Sequence, residues 1–253
     1  MRRQSQDWAR QASRDFAEGR FREGLEAYQT HDLVNWQDDL EAARAALLER
    51  WQADTEDARG TRFVFAYTNE EVRRLNDAMQ AIEIERGRVT DCITLETERG
   101  TLSVGVGDRV AFRETWKLKG IYAGALATVE VINGDRITVR SDRGREITVD
   151  TRDFTNIDLG YAGTIYRGQG KTLDQTYLLH THHWRDAASY VAMTRARTQT
   201  EVFVGRDQAS GIAALAEQMS RQSDRGATLR YVAQADMVAG QVAISTRKTE
   251  RVL

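Results

Sequence analysis

The chain has 253 residues, enough to bury a sizeable core in one large domain or two small ones. Its 36 Lys and Arg against 38 Asp and Glu exclude the strongly basic balance of a general nucleic-acid binder, while leaving room for a local basic face. A single cysteine, Cys92, excludes an internal disulfide framework, and neither a membrane-length apolar run nor a signal peptide is present, so a soluble, cytoplasmic protein is expected.

Residues 1–58 are charged and helix-prone, with Trp8, Phe16, Leu25, Trp36, Leu40, Leu47 and Trp51 as candidate buried anchors. Within them "DDLEAARAALLERW" combines apolar spacing near the helical period with acids in its first turn. The run "LVNWQDD" is broken by polar residues and is not expected to be a strand ending in Mg²⁺ ligands. "RFVFAYT" predicts a buried strand and "TNEEVRRLNDAMQAI" a helix capped by Thr68 or Asn69, a strand–cap–helix unit typical of α/β proteins. After about residue 90 the texture changes. Short alternating strands are separated by Glu-Arg-Gly, Asn-Gly-Asp and Asp-Arg-Gly turns, the pattern of hairpins in a small barrel. From about residue 155 the α/β texture returns, with strand "QTYLLH", helix "DAASYVAMTRART", strand "EVFVG" and helix "GIAALAEQMSRQ". The expected organisation is an N-terminal helical segment at 1–58, a split α/β domain at 59–95 and 155–215, an inserted β module at 96–154 and a tail at 216–253.

"GTIYRGQGKTLDQ" contains the Gly-Lys-Thr that ends a phosphate-binding loop. The full motif needs a Gly five residues before the last Gly, a strand before the loop and a helix after it. Ile165 stands where that first Gly belongs, and a strand-like run follows, so the loop reading fails on spacing and on context.

Three stretches stand in one order around the β insertion: "AYTNEEVRRLN", "YAGTIYRGQGKTLDQTYLL" and "YVAMTRAR". Together they resemble the second motor domain of RecD-like superfamily 1 helicases, and most closely the helicase part of TraA-type conjugative relaxases. The resemblance implies a RecA-like second helicase domain of the P-loop NTPase type, interrupted by a small SH3-like β-barrel and preceded by N-terminal helices. It also implies a share in an ATP- and Mg²⁺-dependent DNA motor. In that family the stretch matching "TIYRGQG" is usually Thr-Ile-His-Lys-Ser-Gln-Gly, and here Tyr166, Arg167 and Gly168 replace His, Lys and Ser.

The resemblance assigns roles residue by residue. Arg195 matches the arginine that reaches the γ-phosphate across the cleft between two motor domains, where it neutralises charge as the phosphoryl group leaves. Gln169 and Gly170 join it as nucleotide-binding candidates. Arg3 matches a further γ-phosphate arginine, although the strand that supports it in the family is missing here. Arg197, on another face of the expected helix, is read as structural. Thr164 and Arg167 suit phosphate contacts and Tyr166 suits base stacking on single-stranded DNA. Thr68 and Asn69 match a DNA-contacting element, although helix capping explains them equally well. In the β module "FRETWKLKGIYAG" interleaves Arg113, Lys117, Lys119 and Tyr122, which suits single-strand binding or a solvated hairpin tip.

"HTHHW" gathers His180, His182 and His183, but zinc sites draw on separated, spaced pairs, and no metal is expected. No Gly-x4-Gly-Lys-Ser/Thr occurs anywhere in the sequence. The chain is therefore expected to be the C-terminal half of a helicase, unable to hydrolyse ATP without its N-terminal helicase or relaxase half in cis or trans. The competing reading is a non-catalytic module that binds single-stranded DNA or a conjugation protein.

Overall fold

The computed structural model describes residues 6–56, 61–165 and 173–222. Two helices open the chain, α1 (Asp7–Ala17) and α2 (Phe21–Thr30), hinged at Gly19, whose φ of +80° favours glycine. Gly24 of α2 admits the Phe16 ring of α1, because a Cβ there would stand 2.5 Å from it. The first strand, β1 (Val34–Gln37), follows, so the stretch 1–58 is not helical throughout. "VNWQ" forms a strand despite its polar residues because it lies at the edge of a sheet and pairs with one neighbour only, with Val34 opposite Val202. Helix α3 (Leu40–Asp54) starts at Asp39, whose carboxylate accepts from the Ala42 amide at 2.8 Å.

β2 (Arg62–Phe65) leads into α4 (Asn69–Glu85), and Thr68 is the cap, its Oγ1 accepting from the Glu71 amide at 3.2 Å. The chain then leaves the main sheet for an all-antiparallel excursion: β3 (Thr90–Thr97), β4 (Gly100–Val106), β5 (Arg109–Phe112), β6 (Leu126–Asn133), β7 (Arg136–Ser141), β8 (Glu146–Asp150) and β9 (Ile157–Leu159). β3 and β4 form a hairpin, and the other five make a sheet in the order β8-β7-β6-β5-β9. Its alternating inward residues, among them Val110, Val129, Val139 and Val149, build a core of their own. β3 crosses the expected boundary at 95–96, since the hairpin needs Thr90 opposite Val106.

The chain returns through β10 (Ala162–Gly163), β11 (Leu173–Leu179), α5 (Asp186–Met193), β12 (Ala196–Gly205) and α6 (Ile212–Ser220). The main sheet is parallel in all its pairings, in the order β1-β12-β11-β2-β10. Period-two alternation divides its side chains between two layers. Phe63, Phe65, Leu178, Val202 and Val204 face the core that holds α1, α2, α5 and α6, while Val64, Tyr177, Leu179 and Phe203 face the residues of α3 and α4. Helix α5 stops at Met193, five residues before the expected helix ends. The segment from Ala196 is drawn instead into pairing with β11, so Arg197 lies on a strand rather than on a helix face.

Candidate nucleic-acid interface

Because the main sheet is parallel, it has one edge of strand beginnings and one of strand ends, and the candidate residues divide between them. Thr68 and Asn69 stand at the carboxyl edge, past the end of β2. Thr164 stands at the same edge, past the end of β10, and the Ala66 amide donates to the Gly163 carbonyl between the two strands at 3.2 Å. Asn76 of α4 locks that edge strand in place: its side-chain oxygen accepts from the Tyr161 and Ala162 amides at 3.0 and 2.8 Å, and its Nδ2 donates to the Ala162 carbonyl at 3.2 Å. A buried Arg44–Glu71 pair, bidentate at 3.0 and 3.1 Å, ties α3 to the first turn of α4 just behind Thr68.

Arg195 is at the opposite edge. It occupies the turn between α5 and β12, its Nε is buried, and its carbonyl accepts from the Leu173 amide at 3.3 Å. The seven residues of β11 span roughly 20 Å, which is the scale of the separation between the two edges. Also at the amino edge, Asp174 accepts from the Thr61 amide and hydroxyl at 2.7 and 3.0 Å, contacts that hold its carboxyl below the usual range. Arg197 lies 3.7 Å from the same carboxylate and is exposed. Between this edge and the β module lies a cleft of about 320 Å³ lined by Arg62, Arg88, Arg109 and Tyr161 among others.

The β module contributes Lys117 and Lys119 on a single 3-10 turn, both exposed, with the Lys119 ammonium 5.7 Å from the centre of the Trp116 ring. Tyr122 is exposed beside them, whereas Arg113 is half-buried and bonded to Asp158 at 3.2 Å, which withdraws it from the exposed set. The module is joined to α4 through Asp108, a fully buried carboxylate that accepts from Gln80 at 2.6 Å, the Gly105 amide at 2.7 Å and the Tyr161 hydroxyl at 2.6 Å. Burial nevertheless raises its pKa, and the same environment pushes the Tyr161 hydroxyl up.

The three histidines do not converge. His180 is buried, with Nε2 2.7 Å from Gln218 Oε1, and burial lowers its pKa to about 4, while His182 and His183 are exposed. Arg3, Tyr166, Arg167, Gln169 and Gly170 lie outside the described residues. Gly-Lys-Thr at 170–172 also lies outside them, and the next described element is strand β11, beginning at Leu173.

No protein-family model matches the chain. The conjugal transfer protein TraA of Rhizobium radiobacter is 30% identical over 232 residues, which cover 90% of this chain. The chain is a homologue of one stretch of TraA. It spans about a fifth of the length of that TraA protein, 21%. The ATP-dependent DNA helicase Pif1 of Bdellovibrio bacteriovorus is 33% identical over 112 residues, covering 38% of this chain and 26% of that protein. A solved Bacteroides Pif1 helicase, in complex with ADP-AlF3 and ssDNA, superposes with a TM-score of 0.54 at 18% identity, over 92% of this chain and 55% of its own. The chain is thus a mixed α/β relative of TraA whose parallel sheet resembles the RecA-like domain of Pif1. Asn76, Gln80 and Asp108, which hold the edge strand and the insertion in this TraA homologue, were not among the sequence candidates. The available signal for the first two was Asn and Gln on the buried face of a helix, where their side-chain amides need partners.

Proposed function

We propose that the chain is the C-terminal part of the motor of an ATP-dependent DNA helicase acting in conjugal DNA transfer, with Arg195 as its arginine finger. The observation that carries this reading is the placement of Arg195 on one edge of the parallel sheet and of Thr68, Asn69 and Thr164 on the other. One rigid sheet then links a nucleotide-facing arginine to a DNA-facing row of hydroxyl and amide groups. Arg195 supplies a planar, permanently charged fork that stabilises charge on a departing phosphoryl group, a role lysine does not reproduce.

The residues of this chain do not by themselves build a nucleotide site, because its Gly-Lys-Thr lacks both the preceding loop glycine and the following helix. ATP and Mg²⁺ are therefore bound only in the joined motor, with the phosphate loop and the metal ligand coming from an N-terminal half. In this reading Gln169, Gly170 and Arg3 assist at the nucleotide, Tyr166 and Arg167 join the DNA contacts, and the insertion is an SH3-like barrel that presents Lys117 and Lys119 to the strand. The Pif1 relative in complex with ssDNA supports single-stranded DNA as the ligand. The motor works in the cytoplasm.

The test is Arg195→Ala in a motor reconstituted with its N-terminal half. ATPase activity should fall by about a thousandfold or more while single-stranded DNA affinity is unchanged. A reconstituted motor whose ATPase is untouched by the substitution would remove the finger. A wild-type mixture with no ATPase at all, but with DNA binding intact, would favour the non-catalytic binding module.

A further inference from the structure

Tyr67 comes directly before the Thr68 cap, and it is 37% exposed although Phe63, Val64, Phe65 and Ala66 before it are buried. Its ring partners come from the segment after β11. It lies nearly parallel to the His183 imidazole, with centroids 6.0 Å apart and 21° between the planes. It meets the Trp184 indole edge-on at 5.7 Å. His182 continues the row, with its ring centroid 3.9 Å from that of His183. The row is supported from beneath and at its end. Trp184 is fully buried with its Nε1 donating to the Leu179 carbonyl at 3.0 Å, and His182 Nδ1 lies 3.1 Å from Gln208 Oε1.

The position of the row is set by topology. β2 and β11 are neighbours, and the chain leaves them in opposite directions: from β2 through α4 and the insertion to β10 on one side, and from β11 through α5 to β12 on the other. Such a reversal opens a crevice at the carboxyl ends of a parallel sheet, where ligands bind. The rings of Tyr67 and His183 bridge that point.

The local chemistry selects stacking over ion pairing. Burial, then the neighbouring His182 and Arg185, lowers the pKa of His183, so near neutral pH it presents an uncharged ring. Arg185 donates to the His182 and Trp184 carbonyls at 3.0 and 2.8 Å. Of the acids nearby in sequence, Glu70 pairs with Arg74 at 2.7 Å and Asp207 accepts from Gln208 at 3.0 Å. An exposed, braced row of flat rings next to Thr68 and Asn69 is suited to the face of a nucleobase.

We propose that Tyr67, His183 and His182 form a stacking platform for an unpaired base of the DNA strand that passes Thr68 and Asn69. The inference rests on the single-stranded DNA reading above and adds to it the residues that grip a base. Every base has a π face, so the platform tolerates any sequence.

The test uses the 253-residue chain and a single-stranded oligonucleotide carrying 2-aminopurine, whose fluorescence is quenched by stacking. Tyr67→Ala should weaken binding about tenfold and relieve the quenching, with the salt dependence of affinity unchanged. Tyr67→Leu keeps an apolar contact on Trp184 and should lose quenching in the same way, whereas Tyr67→Phe should retain both affinity and quenching. An abasic oligonucleotide should bind wild type and Tyr67→Ala alike. If wild type binds with the expected salt dependence but the Ala and Leu variants match it in affinity and quenching, the platform is overturned and the DNA reading stands. If wild type shows no salt-dependent binding to single strands, the DNA reading falls and the platform with it.

Discussion

Asp108 is the point at which the β module is fastened to α4, and removing its carboxylate should be costly in a defined way. Asp108→Ala leaves three donors, Gln80 Nε2, the Gly105 amide and the Tyr161 hydroxyl, without the acceptor each now meets at 2.6 to 2.7 Å. A buried donor left unpaired costs at least about 1 kcal/mol, so the substitution should destabilise the chain by about 3 kcal/mol. Asp108→Asn is the informative partner. Its amide oxygen can take the place of Oδ2, which serves Gln80 and Gly105, while its NH₂ donates to the Tyr161 oxygen, so the cost should stay near 1 kcal/mol. Urea unfolding at neutral pH reads both values. With a slope of about 2 kcal/mol per molar, the Ala variant should lose roughly 1.5 M from its midpoint.

The pH dependence carries the same argument further. Burial raises the Asp108 pKa above 3.8, so the folded chain takes up a proton there more readily than the unfolded chain. Wild type should therefore gain stability relative to Asp108→Asn as pH falls from the raised value towards 3.8, and that gain should be absent at neutral pH. An Ala variant as stable as wild type, or an Asn variant as damaged as the Ala variant, would refute the picture of a three-donor latch.

His180 should act in the opposite sense. Its folded pKa is lowered from 6.5 to about 4 by burial, so between those values the unfolded chain binds more protons and stability falls as pH drops, by on the order of 3 kcal/mol in all. Comparing urea midpoints at pH 7 and pH 4.5 with those of His180→Asn isolates this contribution, and an identical pH profile in the two proteins would contradict it. For the β module, Lys117→Ala and Lys119→Ala should each reduce the slope of log affinity for single-stranded DNA against log salt by about 0.7, the value for one phosphate contact. Slopes equal to that of wild type would place the 3-10 turn away from the strand.

Much of the architecture was legible from local pattern. The strand–cap–helix unit at 62–85 follows from "RFVFAYTNEEV", and the hairpins of the insertion follow from their Gly-containing turns, because caps and tight turns are decided by a few adjacent residues. Other features were decided by partners distant in sequence. "VNWQ" becomes a strand because β12, well over 150 residues later, offers it an edge, and the pairing of β12 with β11 draws Arg197 out of its expected helix. The three histidines of "HTHHW" are alike in sequence, yet one is buried against Gln218 and two are exposed in a ring row completed by Tyr67. Which edge of the sheet carries Arg195 and which carries Thr68 follows from strand order and direction. Local sequence sets the propensity of each segment, but burial and pairing energy come from whichever segments meet it in the folded chain.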